Sequence, residues 1–143
     1  MVENSQRIRV FVVDDHAGMR DGIGAMLSVE PDMEMAGEAS NGQEAMDQFR
    51  TLQPDISLVD WNLPVLSGEA VIARLSKEFP QARFIVITAL NEDDCVWRAI
   101  SLGTHAFLHK HMLRRELVPT IRAVHEGRRY FPVRTLNRFK LED

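Results

Sequence analysis

Along this chain, short runs of apolar, often β-branched residues alternate with longer stretches in which apolar residues recur every three or four positions. IRVFVV (8–13) is followed by AGMRDGIGAMLSVEP, an amphipathic helical pattern that stops before Pro31. The step then repeats. MEMAGEA (33–39) precedes a helix from Asn41, and DISLVD (55–60) precedes a helix from Ser67. RFIVITA (83–89) precedes one from Asn91 or Glu92, and HAFLHK (105–110) a last one from about Leu113 to Glu126. Asn41, Ser67 and Asn91 are suited to cap helix N-termini, because a short side-chain oxygen can accept from the free amides of the first turn. Five strands alternating with five helices predict a parallel sheet with right-handed crossovers and a helix layer on each face. Apolar runs such as FIVIT fit strands buried on both sides.

Composition adds limits. With 143 residues, 45% hydrophobic and 27% charged, the chain has the size and balance of one globular domain. No apolar run is long enough to cross a bilayer, and MVENSQRIRV lacks the features of a signal peptide, so a cytoplasmic location is expected. The single Cys95 excludes an intramolecular disulfide framework and reads as an inert helix residue. Charge is uneven: residues 1–113 carry 9 Lys+Arg against 17 Asp+Glu, and 114–143 carry 8 against 4. The basic stretch reads as the solvated face of the last helix and its exit segment rather than as a nucleic-acid site.

In open α/β sheets, chemistry collects at the carboxyl ends of the strands. Strand one ends in Asp14 and Asp15, strand three in Asp60, strand four in Thr88 and strand five in Lys110. Strand two ends near Ala39 and Ser40 and offers nothing chemical, as suits an edge strand. Adjacent carboxylates repel and lose hydration together, so the pair needs a positive partner. A cluster of hard oxygen ligands suits Mg2+, which keeps several of its waters.

VVDDH, LVDWNLPVLSG, VITA and AFLHK, in that order and each at a strand end, make residues 7–127 resemble the receiver domain of a two-component response regulator. GEASNGQEA and IRAVHEGRRYFP are similar in particular to the NarL/FixJ subclass, whose receiver precedes a helix-turn-helix domain. Residues 128–143 then form a tail or the start of a linker. The resemblance implies a flavodoxin-like, doubly wound (βα)5 fold with strand order 2-1-3-4-5. It implies that Asp60 accepts a phosphoryl group from a sensor histidine kinase. Asp15 and Asp60 would bind Mg2+ directly, Asp14 largely through water, and Asn62 by its backbone carbonyl. Lys110 would pair with Asp60 and then with a phosphoryl oxygen, and Thr88 would donate to another. Thr88 and Phe107 match the switch pair, the ring turning inward as the hydroxyl moves. Asn62 and Leu90 would flank the water that removes the phosphoryl group. Pro64 restrains the loop after Asp60, and Gly68 lets backbone sit close to the site.

The remaining candidates read as structural. His105, His109 and His111 lack an evident fourth ligand for a metal. His16 reads as a packing or capping residue. Trp61 is either a partly exposed loop residue or a partner contact, and Trp97 a packing residue. Two rival functions use similar chemistry. A haloacid-dehalogenase phosphatase also combines an aspartate nucleophile with Mg2+, but its nucleophile ends strand one in an Asp-x-Asp arrangement. A flavodoxin-type carrier would need a hydroxyl- or glycine-rich phosphate loop where the acidic pair stands. As a receiver, the chain is expected to homodimerise on phosphorylation and to reach DNA only through an effector domain not present in it. It reads as a receiver excised from a transcription regulator, the alternative being a stand-alone receiver acting on protein partners.

Overall fold

The structure, a computed structural model, describes residues 6–89 and 93–131. Strands β1 (Ile8–Val13), β2 (Met33–Ala39), β3 (Ile56–Asp60), β4 (Phe84–Thr88) and β5 (Ala106–His109) alternate with helices α1 (Ala17–Ser28), α2 (Gly42–Leu52), α3 (Gly68–Glu78), α4 (Asp93–Ser101) and α5 (Leu113–His125). All neighbours pair in parallel, in the order β2-β1-β3-β4-β5. The fold is therefore the flavodoxin-like arrangement the sequence implies. Asn41 and Ser67 cap α2 and α3 by accepting from the amides of Glu44 and Ala70. The third cap expected, Asn91, lies outside the described residues.

Strand alternation divides the core. Val10, Val12, Leu58, Ile85, Ile87 and Leu108 face α1 and α5, where Ile23, Leu27, Leu117 and Ile121 cover them. Phe11, Val13, Val59, Val86 and Phe107 face the opposite layer of α2, α3 and α4. Both faces of β1, β3 and β4 are thus almost entirely dry, which explains their unbroken apolar runs, whereas the edge strand β2 is part-exposed. Trp61 and Leu63 continue the alternation of Val59 into the second layer. Trp61 is only 8% exposed, so it is a core residue and neither an exposed loop residue nor a partner contact. Trp97, in contrast, is half exposed on α4, and Cys95 is buried there.

Two glycines let the loop after β3 fold tightly. A Cβ on Gly68 would overlap the Asp60 carbonyl oxygen, and one on Gly42 would overlap that of Leu66. The loop between them turns at Val65, whose φ of 70° lies in the left-handed region and whose side chain is exposed. For a β-branched residue this backbone conformation costs about 1–2 kcal/mol.

The exit segment packs back onto the body. Tyr130 bridges to Ala106, its amide donates to the His105 carbonyl at 2.8 Å, and its carbonyl accepts from Phe107 at 3.3 Å. Its hydroxyl donates to Glu116 at 2.8 Å. This cover occupies part of the β5 edge that would otherwise present unpaired backbone groups. Residues beyond Phe131 lie outside the described residues.

Val65 yields a direct test. Glycine adopts its backbone geometry without steric cost, and an exposed side chain takes little packing with it. Val65→Gly should stabilise the protein by about 1 kcal/mol, read as a higher urea midpoint at unchanged slope. A lower midpoint would show that the valine side chain holds the loop.

Candidate functional site

The site forms where three strands end on one sheet face. Asp14, Asp60 and Lys110 continue the alternation of Val12, Leu58 and Leu108, so all three emerge on the α1/α5 side. Lys110 follows β5 as the first residue of a short 3-10 turn, Lys110–Met112, rather than closing the strand. Its ammonium lies 2.8 Å from Asp14 Oδ2 and 2.9 Å from Asp60 Oδ2. The second contact is aligned as a hydrogen bond. Asp60 Oδ1 accepts from the Asn62 amide at 3.0 Å. Asp14 is fully buried, and Asp60 is 3% exposed.

Electrostatics leave the cluster short of positive charge. Burial pushes the Asp60 carboxyl above the usual aspartate range, and Asp14 adds to the shift; the Asn62 amide and Lys110 offset it only in part. Burial also opposes the charge on Lys110, but its contacts with Asp14 and Asp60 outweigh that and raise its pKa. Asp15 adds a third carboxylate, one-third exposed, and the His16 Nδ1 lies 3.1 Å from Asp14 Oδ1 and 3.2 Å from Asp15 Oδ1. His16 stands at the N-cap position of α1, yet its side chain makes no cap hydrogen bond. Three carboxylates therefore face one ammonium.

These residues fit a divalent cation. One ligand atom from each of Asp14, Asp15, His16 and Asp60 can be chosen so that all lie within 4.8 Å of one another. Asp14 Oδ2 is buried and meets the same Lys110 ammonium as Asp60 Oδ2, so two buried carboxylates share one cation, an imbalance that a divalent ion would offset. The donors are mainly carboxylate oxygens, the type that hard cations take.

Residues 10–122 match the response regulator receiver domain. The chain belongs to the response regulator receiver family. The chain is 31% identical over 137 residues to the response regulator protein VraR of Staphylococcus epidermidis, covering 93% of this chain and 66% of that protein. It thus spans about two thirds of the length of such curated relatives. Among solved structures, it is similar to a LuxR-family two-component response regulator from Aurantimonas, with 26% identity, a TM-score of 0.88, and coverage of 95% and 97%. It also resembles the receiver domain of the putative response regulator NarL from Mycobacterium tuberculosis, with 31% identity, a TM-score of 0.81, and coverage of 86% and 99%. The buried, lysine-paired carboxylate of this receiver ends β3, whereas the rival phosphatase reading needs its nucleophile on β1.

The other predicted positions are distributed as follows. Thr88 is buried at the end of β4, opposite His109 in the β4–β5 register. Phe107 is also fully buried, and without a hydroxyl it has nothing to hold at the rim. The Asn62 side chain is exposed beside Asp60. Leu90 lies outside the described residues. His109 stacks on His111 and meets Phe107 edge-on, and the half-buried His105 is held below the usual histidine pKa by desolvation and by Arg129 and Arg83. Sequence reasoning missed the Asp14–Lys110 pair and Arg20, which donates to the Asp14 carbonyl at 2.7 Å. The shared parity of Asp14, Asp60 and Lys110 was the available signal for the first.

The Asp60 shift has a stability consequence with a defined sign. A carboxyl whose folded pKa is raised binds its proton more tightly when folded, so ionisation destabilises the fold. The penalty is absent below the ordinary aspartate value of 3.8, grows as pH rises through the folded pKa, and is complete above it. Asp60→Asn should therefore raise the unfolding midpoint at neutral pH and show no advantage below pH 3.8. A midpoint lowered equally at both pH values would mean that Asp60 is a net stabilising partner of Lys110.

Proposed function

We propose that Asp60 is the phosphoacceptor of this receiver and that the transfer requires Mg2+. The observation that carries this reading is the buried Asp60 carboxylate, paired with Lys110 inside a cluster that retains excess negative charge. Asp15, Asp60 and the Asn62 carbonyl would hold the ion directly, and Asp14 largely through water. When bound, the ion offsets charge on the phosphoryl oxygens and on the acidic cluster.

The chain's own residues supply the rest. An Asp60 oxygen forms a bond to phosphorus as the bond to the histidine nitrogen of a sensor kinase breaks, and the imidazole leaves. Such transfers depend on positioning and on stabilising charge spread over three oxygens. Lys110, already 2.9 Å from Asp60, follows the charge to one phosphoryl oxygen, and the Thr88 hydroxyl donates to another. Movement of Thr88 then shifts the balance between two packings around a Phe107 ring that is already inside, a population shift driven by contacts with the phosphoryl group. Asn62 can orient a water but cannot take its proton, and Leu90 offers it no hydrogen bond, so the phosphorylated state is long-lived.

The self-catalysed chemistry is confined to gaining and losing this group. The output is transcriptional control in the cytoplasm, through homodimerisation and a DNA-binding effector domain outside this chain. The VraR and LuxR-family relatives support this reading. Residues 7–127 serve as the receiver unit, with 128–143 leading to the effector. Among the described residues, no helix is long and apolar enough to cross a membrane.

Intact-mass measurement after incubation with acetyl phosphate and Mg2+ tests the assignment. The wild type should gain one phosphoryl group, and Asp60→Asn none; an undiminished mass shift in the variant would contradict it. Once the donor is removed, Leu90→Glu should lose the group faster than wild type, because a polar side chain can orient the attacking water. Equal decay would remove Leu90 from that role.

A further inference from the structure

Arg20 lies in the first turn of α1, and its guanidinium joins two other parts of the chain. Nη1 donates to the Asp14 backbone carbonyl at 2.7 Å, and Nε donates to Glu38 Oε1 of β2, also at 2.7 Å. The side chain is mostly covered, and its own backbone amide donates to the His16 carbonyl at 3.1 Å. The Asp14 carbonyl belongs to the peptide unit that carries Asp15, and that unit is planar. On the other side of Asp14, its amide donates to the Ala39 carbonyl at 3.1 Å. Both peptide planes flanking Asp14 are therefore held, one by sheet pairing and one by Arg20.

We propose that Arg20 is a positioning residue for the cation site: by fixing the Asp14–Asp15 peptide, it sets where the Asp15 carboxylate points. Asp15 needs such help more than its neighbours do. Asp14 and Asp60 are buried and paired with Lys110, whereas Asp15 is part-exposed and its ion-pair contact among the described residues is with the His16 ring. The planar guanidinium serves both acceptors because its donors diverge in a fixed fork. A lysine carries the same charge from a single point and cannot reproduce that geometry.

The inference rests on the reading of the acidic cluster as a divalent-cation site, and its sign separates it from simple electrostatics. Arg20 is a positive charge near a site for a positive ion. Removing it would tighten cation binding if charge alone mattered; loss of positioning weakens binding instead. Outer residues that orient metal ligands commonly contribute tenfold or more to affinity.

Mg2+ titration by calorimetry on the whole chain, as wild type, Arg20→Gln and Arg20→Lys, decides the matter. Both variants should bind Mg2+ about tenfold more weakly, with unfolding midpoints near that of wild type. Affinity equal to or tighter than wild type in either variant would overturn the inference. Metal-free amide exchange supplies a second readout, using Glu38→Ala as well, which removes the acceptor at the other end of the clamp. Exchange at Asp15 and His16 should accelerate in all three variants while β3 amides stay unchanged; wild-type rates at Asp15 and His16 would overturn the role. A wild type that binds no Mg2+ would overturn the cation-site reading itself, and with it Arg20's place in it.

Discussion

The contact between Lys110 and the two buried carboxylates of Asp14 and Asp60 is the constraint around which this structure is arranged. Each carboxylate loses several kcal/mol of hydration on burial, and one ammonium at 2.8 and 2.9 Å offsets only part of that cost. The remainder appears as the raised Asp60 pKa. A site built only for stability would not combine these charges. In the proposed function, this imbalance is what keeps Asp60 reactive and favours a divalent cation.

The fold produces this arrangement by strand parity and strand order. β1 and β3 are neighbours, so their terminal aspartates sit side by side, while β5, two strands further along, contributes a side chain long enough to reach both. Thr88 and Phe107 lie on the opposite face, where Val86 and Phe107 are register partners. The charged cluster and the proposed switch pair therefore share one end of the sheet but different cores. The backbone of Phe107 is also hydrogen-bonded to Tyr130 of the exit segment.

Strand and helix positions were legible because both faces of the central strands are dry and α2 and α3 are capped locally. Ile8–Val13 and Met33–Ala39 have the bounds their apolar runs imply, and Asn41 and Ser67 cap as expected. The strand-end residues were legible too, since the topology fixes where they meet. Less legible were features set by contacts distant in sequence. Trp61 was misjudged because it follows a strand end, although Val59, Trp61 and Leu63 keep period two into the core. The full burial of Phe107 on β5, in one core with Val96 and Ala99 of α4, was likewise set by distant contacts. The Arg20 clamp depends on Glu38 of a different strand, which no local pattern reveals.

The most direct test of this account is the titration of the Asp60 side-chain carboxyl, followed by its carbon-13 resonance in the metal-free protein and again with Mg2+. The account predicts a pKa above the ordinary aspartate value of 3.8 without the ion and a clear fall when Mg2+ is added. An Asp60 that titrates at its ordinary value in both conditions would contradict the claim that the site holds excess negative charge for a cation to balance.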